Sequence, residues 1–233
     1  MRYNTNKKVN AIREFGGFDS DMYAMEMALQ ERPCLVVGGG TVAERKVRAL
    51  QQAGAALTIV APVLSSGLQK LETEKAFHWR ARNFQAEDVR GFTFVFLTTD
   101  DRELNAWAAR LAKTTGAFVN VATSSAQSDF LVPSVRQKDD LSLTVSTHGQ
   151  APALARVLAN RLATRILEPY AAWLQRLAPL RKALQAKGGD SQAHTLFWRQ
   201  VLKDEVLDLV EQNRIDEAEA WVKDAINRFG AES

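Results

Sequence analysis

Three consecutive glycines, Gly38-Gly39-Gly40, directly follow the apolar run Cys34-Leu35-Val36-Val37, and this junction restricts the possible folds of the chain more than any other feature. A short run that is apolar throughout and stops at glycine reads as a strand buried on both faces, as in a parallel sheet. From Thr41 the period becomes helical, with Val42, Ala43, Val47 and Leu50 on one face and Glu44, Arg45, Lys46 and Arg48 largely elsewhere. Gly38 to Ala43 fits G-x-G-x-x-A, and each position has a mechanical reason. Gly38 makes the tight exit from the strand, Gly40 lets a pyrophosphate approach the backbone, and Ala43 lets the helix pack close to the sheet. Free N–H groups and the positive end of the helix dipole, at Thr41 and Val42, would then meet the phosphates. In this setting the turn predicts a dinucleotide site; a glycine-rich turn without a ligand is the alternative.

The same alternation continues along the chain. Gly54 ends the first helix, and Leu57 to Ala61 is a second buried strand halted by Pro62. Residues 76–80 could form a short strand, Phe92 to Leu97 is a strong one, and Ala117 to Val121 is another. Between the last two, Asp100 or Asp101 can cap a helix with Leu104, Trp107, Ala108 and Leu111 on its core face. Strands alternating with helices of this length predict an α/β, Rossmann-like parallel sheet. After about residue 130 the grammar changes. Phe130 to Val132 and Leu141 to Val145 read as two strands joined by a charged turn at 136–140, and Pro152 opens a tail of helices over 152–167, 169–186, 191–212 and 214–228. Trp173, Leu174 and Leu177, with Phe197, Val201 and Leu207, read as helix-face core. The expected division is an extension over 1–20, a NAD(P)-binding domain over 21–130, a small strand-pair region over 131–166, to which the resemblance described below assigns dimerisation, and a helical domain over 167–233.

A dinucleotide fold usually offers an acid at the end of its second strand for the ribose hydroxyls. That strand here ends Val60-Ala61-Pro62-Val63, so backbone groups around Pro62 and Val63 are the candidates for this task. Thr98, Thr99 and Asp100 follow a later strand and belong at the same carboxyl edge, where simple helix capping is the competing role. Composition adds exclusions. A formal charge of +3 is too small to argue for nucleic acid, and there is no aromatic-interleaved basic patch. No run approaches the length of a membrane span, and the first twenty residues do not read as a secretory signal, so the expected compartment is the cytoplasm. The single cysteine, Cys34, excludes an internal disulfide and reads as a buried structural thiol. His78 and His194 have no metal-ligand spacing, and no protein-bound metal is assigned.

The run Arg32 to Lys46 resembles the opening of precorrin-2 dehydrogenases, including the N-terminal module of sirohaem synthases. Leu57 to Pro62, Thr98-Thr99-Asp100-Asp101, Phe118-Val119-Asn120-Val121, Asp129 to Ser134 and the Ser146-Thr147-His148-Gly149 to Pro152 stretch resemble the same family in collinear order. The resemblance runs from about Met22 to the end and weakens in the C-terminal helices. It implies NAD as cofactor, oxidation of precorrin-2 to sirohydrochlorin on the route to sirohaem, and a homodimer pairing strands across subunits. It also implies a helical tail closing the tetrapyrrole cleft, with Asn120, Ser146 and Thr147 as substrate-binding candidates. Arg and Lys residues would hold the substrate carboxylates, but the sequence does not say which.

Two positions depart from the family pattern. Many members carry an aspartate three residues after the strand asparagine, where this chain has Thr123. Thr123 and Ser124 can hydrogen-bond but cannot take up protons as a carboxylate does, so metal insertion is the activity most weakened. His148 stands where glycine is commoner; an imidazole there could accept a proton, although a lone histidine in a turn is more often a surface residue. Thr123, Ser124 and His148 are therefore the catalytic candidates for a dehydrogenase. The competing readings are a dehydrogenase that is also a ferrochelatase, a nucleotide-sensing regulatory module and a non-catalytic tetrapyrrole carrier.

Overall fold

The computed structural model describes Met22–Phe229. The reading of residues 1–20 as an extension lies outside this range. The chain divides into two units, one ending at Leu131 and the other beginning at Val132.

The first unit is a five-stranded parallel sheet in the order β3-β2-β1-β4-β5. Its strands are β1 (Pro33–Val37), β2 (Ala56–Val60), β3 (His78–Arg80), β4 (Phe94–Leu97) and β5 (Phe118–Val121). Helix α1 (Thr41–Gln52) joins β1 to β2, α2 (Ser66–Thr73) joins β2 to β3, and α3 (Arg102–Thr114) joins β4 to β5. A 3-10 turn, Ala86–Val89, precedes β4. The sheet is buried on both faces, which is why β1 and β4 are apolar without alternation. One face carries Val36, Ile59 and Phe96 beneath Ala43, Val47 and Leu68. The other carries Leu35, Val95 and Val119 beneath Ala108 and Ala112. Cys34 is fully buried, and burial pushes its thiol up to about 11.

Several expected boundaries shift for physical reasons. The core face of α3 is Asn105, Ala108, Ala109 and Ala112, with Leu111 packed against the same cluster and Leu104 and Trp107 off it. Small side chains bring the helix close to the sheet, while Trp107 lies edge-on against Phe84. On α1, Val42 is exposed and Ala43, Val47 and Leu50 face the core. Met22 to Leu29 forms no regular element, and α2 follows a turn that the sequence reading passed over.

The second unit opens with an antiparallel pair, β6 (Ser134–Lys138) and β7 (Leu141–Val145), in register from Ser134↔Val145 to Lys138↔Leu141. The expected strand at Phe130 to Val132 is absent. Phe130 instead packs edge-on against Phe94 and Phe96 in the first unit, and the strand starts after Pro133. Helix α4 (Pro152–Leu162) packs on both strands and runs through a π-helical turn, Ala163–Leu167, into α5 (Glu168–Ala186). The expected helix over 191–212 is two, α6 (Ser191–Val201) and α7 (Asp204–Glu211), because Leu202 and Lys203 leave helical geometry between them. The break rotates the buried face, so that Val206 and Val210, not Leu207, join Phe197 and Val201 in the core. Helix α8 (Ile215–Arg228) completes this cluster, which includes buried Trp173 and leaves Leu174 outside.

Candidate functional site

Parallel pairing places the carboxyl ends of all five strands along one edge. The turns there are Gly38–Gly40, Ala61–Ser65, Ala81–Gln85, Thr98–Asp101 and Ala122–Ser125. Strand order reverses between β1 and β4, which opens a crevice where ligands of such sheets bind.

The three glycines do different work. Gly38 has φ 114, a region that favours glycine, and a Cβ on it would stand 2.7 Å from Thr98 Oγ1. Thr98 is tied to the end of β1 twice, its N–H donating to Val37 O at 2.9 Å and its hydroxyl to the same oxygen at 2.8 Å. Gly39 leaves room for the carbonyl of Val63, 2.0 Å from where its Cβ would lie. Gly39 O also accepts from Ser65 N at 2.7 Å, and the Ser65 hydroxyl donates to Glu44 Oε2 at 2.9 Å. Arg48 and then Ser65 hold the Glu44 carboxyl below its ordinary value.

At Gly40 the situation is reversed. Its φ of −84 suits any residue, and a Cβ there would meet nothing within 4 Å. Among the described residues nothing requires glycine at this point, which begins α1 with no side-chain cap. The bare backbone opens outward at the helix N-terminus, beside exposed Thr41 and Val42, and this cradle fits a pyrophosphate. The structure thus brings Gly38, Val63 and Thr98 into contact around one elbow, with Pro62 exposed next to it. Asp101, not Asp100, caps α3, accepting from Glu103 N and Leu104 N at 2.9 Å each. Thr99 donates its hydroxyl to Asn105 Oδ1 at 2.7 Å, and Asp100 is left exposed at the edge.

Thr123 and Ser124 lie in the turn after β5, Thr123 exposed and Ser124 half-buried. The loop then folds back along the outer side of β5. The Ser128 hydroxyl donates to Ser124 O and accepts from Val121 N, both at 2.9 Å. Asp129 accepts from Val119 N through Oδ2 at 2.9 Å and meets Lys113 Nζ at 2.7 Å. Asn120 is buried on the sheet and donates to Phe130 O at 2.9 Å. In the second unit, Ser146, Thr147 and His148 share the turn before α4. There Thr147 Oγ1 accepts from Ala151 N and Ser146 Oγ from His148 N, both at 3.1 Å.

Two charged groups have surroundings that the sequence pattern does not mark. Lys46, on the second turn of α1, donates to Asn120 Oδ1 at 2.7 Å. Burial, and then Arg45, bring its ammonium down to about 8. Asp88, 1% exposed, accepts from Arg80 Nη1 and from Arg82 Nη1 and Nη2 at 2.7 Å each, and from Gln85 N at 2.8 Å. Burial alone would raise its carboxyl, but these donors outweigh it and hold it at about 2. Neither could be read from spacing, because Asn120 lies 74 residues from Lys46 and Asp88 sits in a polar stretch without periodicity.

A parallel sheet with a glycine elbow at its switch point defines the first unit as an NAD(P)-binding α/β domain, and residues 25–134 match the family model described as putative NAD(P)-binding. Residues 169–226 match the model of the sirohaem synthase dimerisation region. The chain carries one matched region after the other, and its curated relatives are sirohaem synthases. It is 33% identical over 205 residues to a siroheme synthase of Methylococcus capsulatus, covering 88% of this chain and 43% of that protein. It is 37% identical over 177 residues to one of Methylobacillus flagellatus, covering 76% and 38%. The chain thus spans about two fifths of the length of these curated relatives. A solved structure titled "SirC, precorrin-2 dehydrogenase" superposes with a TM-score of 0.67 at 27% identity, covering 85% of this chain and 99% of that one. Among the described residues no helix is long and apolar enough to cross a membrane.

Proposed function

We propose that this chain is a precorrin-2 dehydrogenase that uses NAD to oxidise precorrin-2 to sirohydrochlorin. The observation that carries the reading is the open cradle at Gly40, in a chain similar to a precorrin-2 dehydrogenase over nearly all of that protein's length. The bound dinucleotide would supply the hydride acceptor. The reaction removes two hydrogens from the macrocycle, one as hydride to the nicotinamide and one as a proton released to the site, so the balance closes without a further oxidant. Gly38, Gly40, Thr41 and Val42 hold the pyrophosphate, Pro62 and Val63 lie on the ribose side, and Thr98, Thr99 and Asp100 line the nicotinamide side. On the resemblance, Asn120, Ser146 and Thr147 are the candidates for binding the tetrapyrrole, and Thr123, Ser124 and His148 are the candidates for taking up the proton. With a hydroxyl at position 123 in place of a carboxylate, the chain oxidises without inserting metal.

The proposed assembly is a homodimer. Leu154, Val157 and Leu158 on α4, with Val135 on β6, present exposed apolar side chains in the second unit, consistent with a self-complementary contact. Anaerobic incubation with precorrin-2 and either NAD or NADP, following the near-ultraviolet absorbance of reduced nicotinamide, tests the activity. Turnover with NAD is the expected result. Tight tetrapyrrole binding with no turnover on either cofactor would replace the enzyme with a carrier.

A further inference from the structure

Lys46 is a cation drawn partly out of water without a counter-ion. Its Nζ lies 2.7 Å from Asn120 Oδ1 and 5.3 Å from the centroid of the Phe96 ring. Among the described residues no carboxylate lies within ion-pair distance of it, whereas Lys113, Lys138 and Lys223 each face one. An ammonium has three donors, and Asn120 engages one. A neutral amide oxygen and a ring face offset the lost hydration of a cation only in part; the descent of its pKa to about 8 expresses the remainder.

Its position is specified from several sides. Phe96 and Asn120 are register partners, each one residue short of the carboxyl end of its strand. Asn120 is 5% exposed and pinned through Nδ2 to Phe130 O, so its oxygen can hold the ammonium in only one place. The side chain thus reaches away from the glycine elbow, across β4, to the strand that leads into Thr123 and Ser124. The elbow presents bare amides to a pyrophosphate, while the lysine presents a charge beside the part of the edge assigned above to the macrocycle.

We infer that Lys46 is a substrate-binding residue that takes a carboxylate of the tetrapyrrole, with Asn120 and the Phe96 ring holding its ammonium in place. The inference rests on the precorrin-2 reading and adds to it the residue that recognises the polycarboxylate. An arriving carboxylate supplies the missing counter-ion, and desolvation strengthens that pairing relative to one on the open surface.

The test is an anaerobic fluorescence titration of the full chain with sirohydrochlorin and, separately, with NAD, in wild type, Lys46→Gln and Lys46→Arg. Lys46→Gln keeps a donor for Asn120 but removes the charge. It should weaken sirohydrochlorin binding about tenfold or more while NAD affinity stays within about twofold, and Lys46→Arg should recover most of the loss. Unchanged sirohydrochlorin affinity in Lys46→Gln, with wild type binding normally, would make the lysine a strut and overturn the inference while the dehydrogenase reading stands. A loss that falls on NAD would assign the cation to the cofactor and overturn it equally. A wild-type chain that binds no sirohydrochlorin would overturn both. Matching thermal melts for the three proteins exclude unfolding as the cause.

Discussion

The Cα of Gly39 backs onto the carbonyl of Val63 so closely that a Cβ would stand 2.0 Å from the oxygen, whereas the next residue, Gly40, has nothing within 4 Å of the same position. One glycine is required by the protein's own packing and the other is not. The triplet therefore divides into a part fixed by packing and a part left open for the proposed pyrophosphate.

Substitutions separate these roles. Gly39→Ala must displace backbone and should cost about 2 kcal/mol of stability. Gly40→Asp should melt no lower than wild type, since an aspartate is a favourable residue at the start of a helix, yet its charge should repel a pyrophosphate and abolish NAD binding. Calorimetry and a dinucleotide titration on both variants check this. Unchanged NAD affinity in Gly40→Asp would place the cofactor elsewhere.

Lys46 should titrate apart from the other lysines, with a midpoint near 8 set by burial and then by Arg45. The sign follows from the depressed value. The fold bears the full cost of the charge below about 8 and is relieved as the pH climbs toward the ordinary value of 10.5. Carbon-detected NMR of Cε-labelled lysine should show one such resonance, absent in Lys46→Gln. A spectrum with every lysine in the ordinary range would contradict the burial described.

Asp88 stabilises the fold in the opposite direction. Burial works against its charge, but Arg82, the Gln85 N–H and Arg80 hold the folded carboxyl near 2 against an ordinary 3.8. Its contribution is complete above the ordinary value and is lost as the pH falls through about 2. Asp88→Asn should lose about 2 kcal/mol near neutrality by leaving two arginines without their shared acceptor. The gap to wild type should narrow between about pH 4 and pH 2 in denaturant titrations. A gap that does not change with pH would remove the ion pairs from the account.

Much of the first unit was legible because parallel-sheet strands are apolar runs and their helices are amphipathic, as Cys34 to Val37 and Thr41 to Gln52 show. The glycine elbow was legible for the same reason, since its pattern is local. What escaped depends on contacts that no local period encodes. Phe130 reads as the start of a strand but serves as a plug against Phe94 and Phe96. The alanine face of α3 was masked by the larger Leu104, Trp107 and Leu111. Lys46 looked like one charge among several on a solvated helix face, and only the arrival of β5 alongside β4 gives it Asn120.

His148 offers a fourth measurement. It adopts φ 51, a left-handed conformation that costs a side-chain-bearing residue free energy and suits glycine. His148→Gly should therefore be about 0.5–1 kcal/mol more stable than wild type, read from denaturant unfolding. A loss of stability would mean that the contacts of the imidazole outweigh the strain.

Thr98 grips the Val37 carbonyl with both its amide and its hydroxyl, and so rivets β4 to β1 where the sheet changes direction. The two lips of the crevice cannot part there without breaking both bonds. A dinucleotide bound there, as proposed, would enter a slot whose shape was set when the chain folded, with little ordering left to be done on arrival. Affinity at this elbow would then be governed by how well the phosphates match amides already in place.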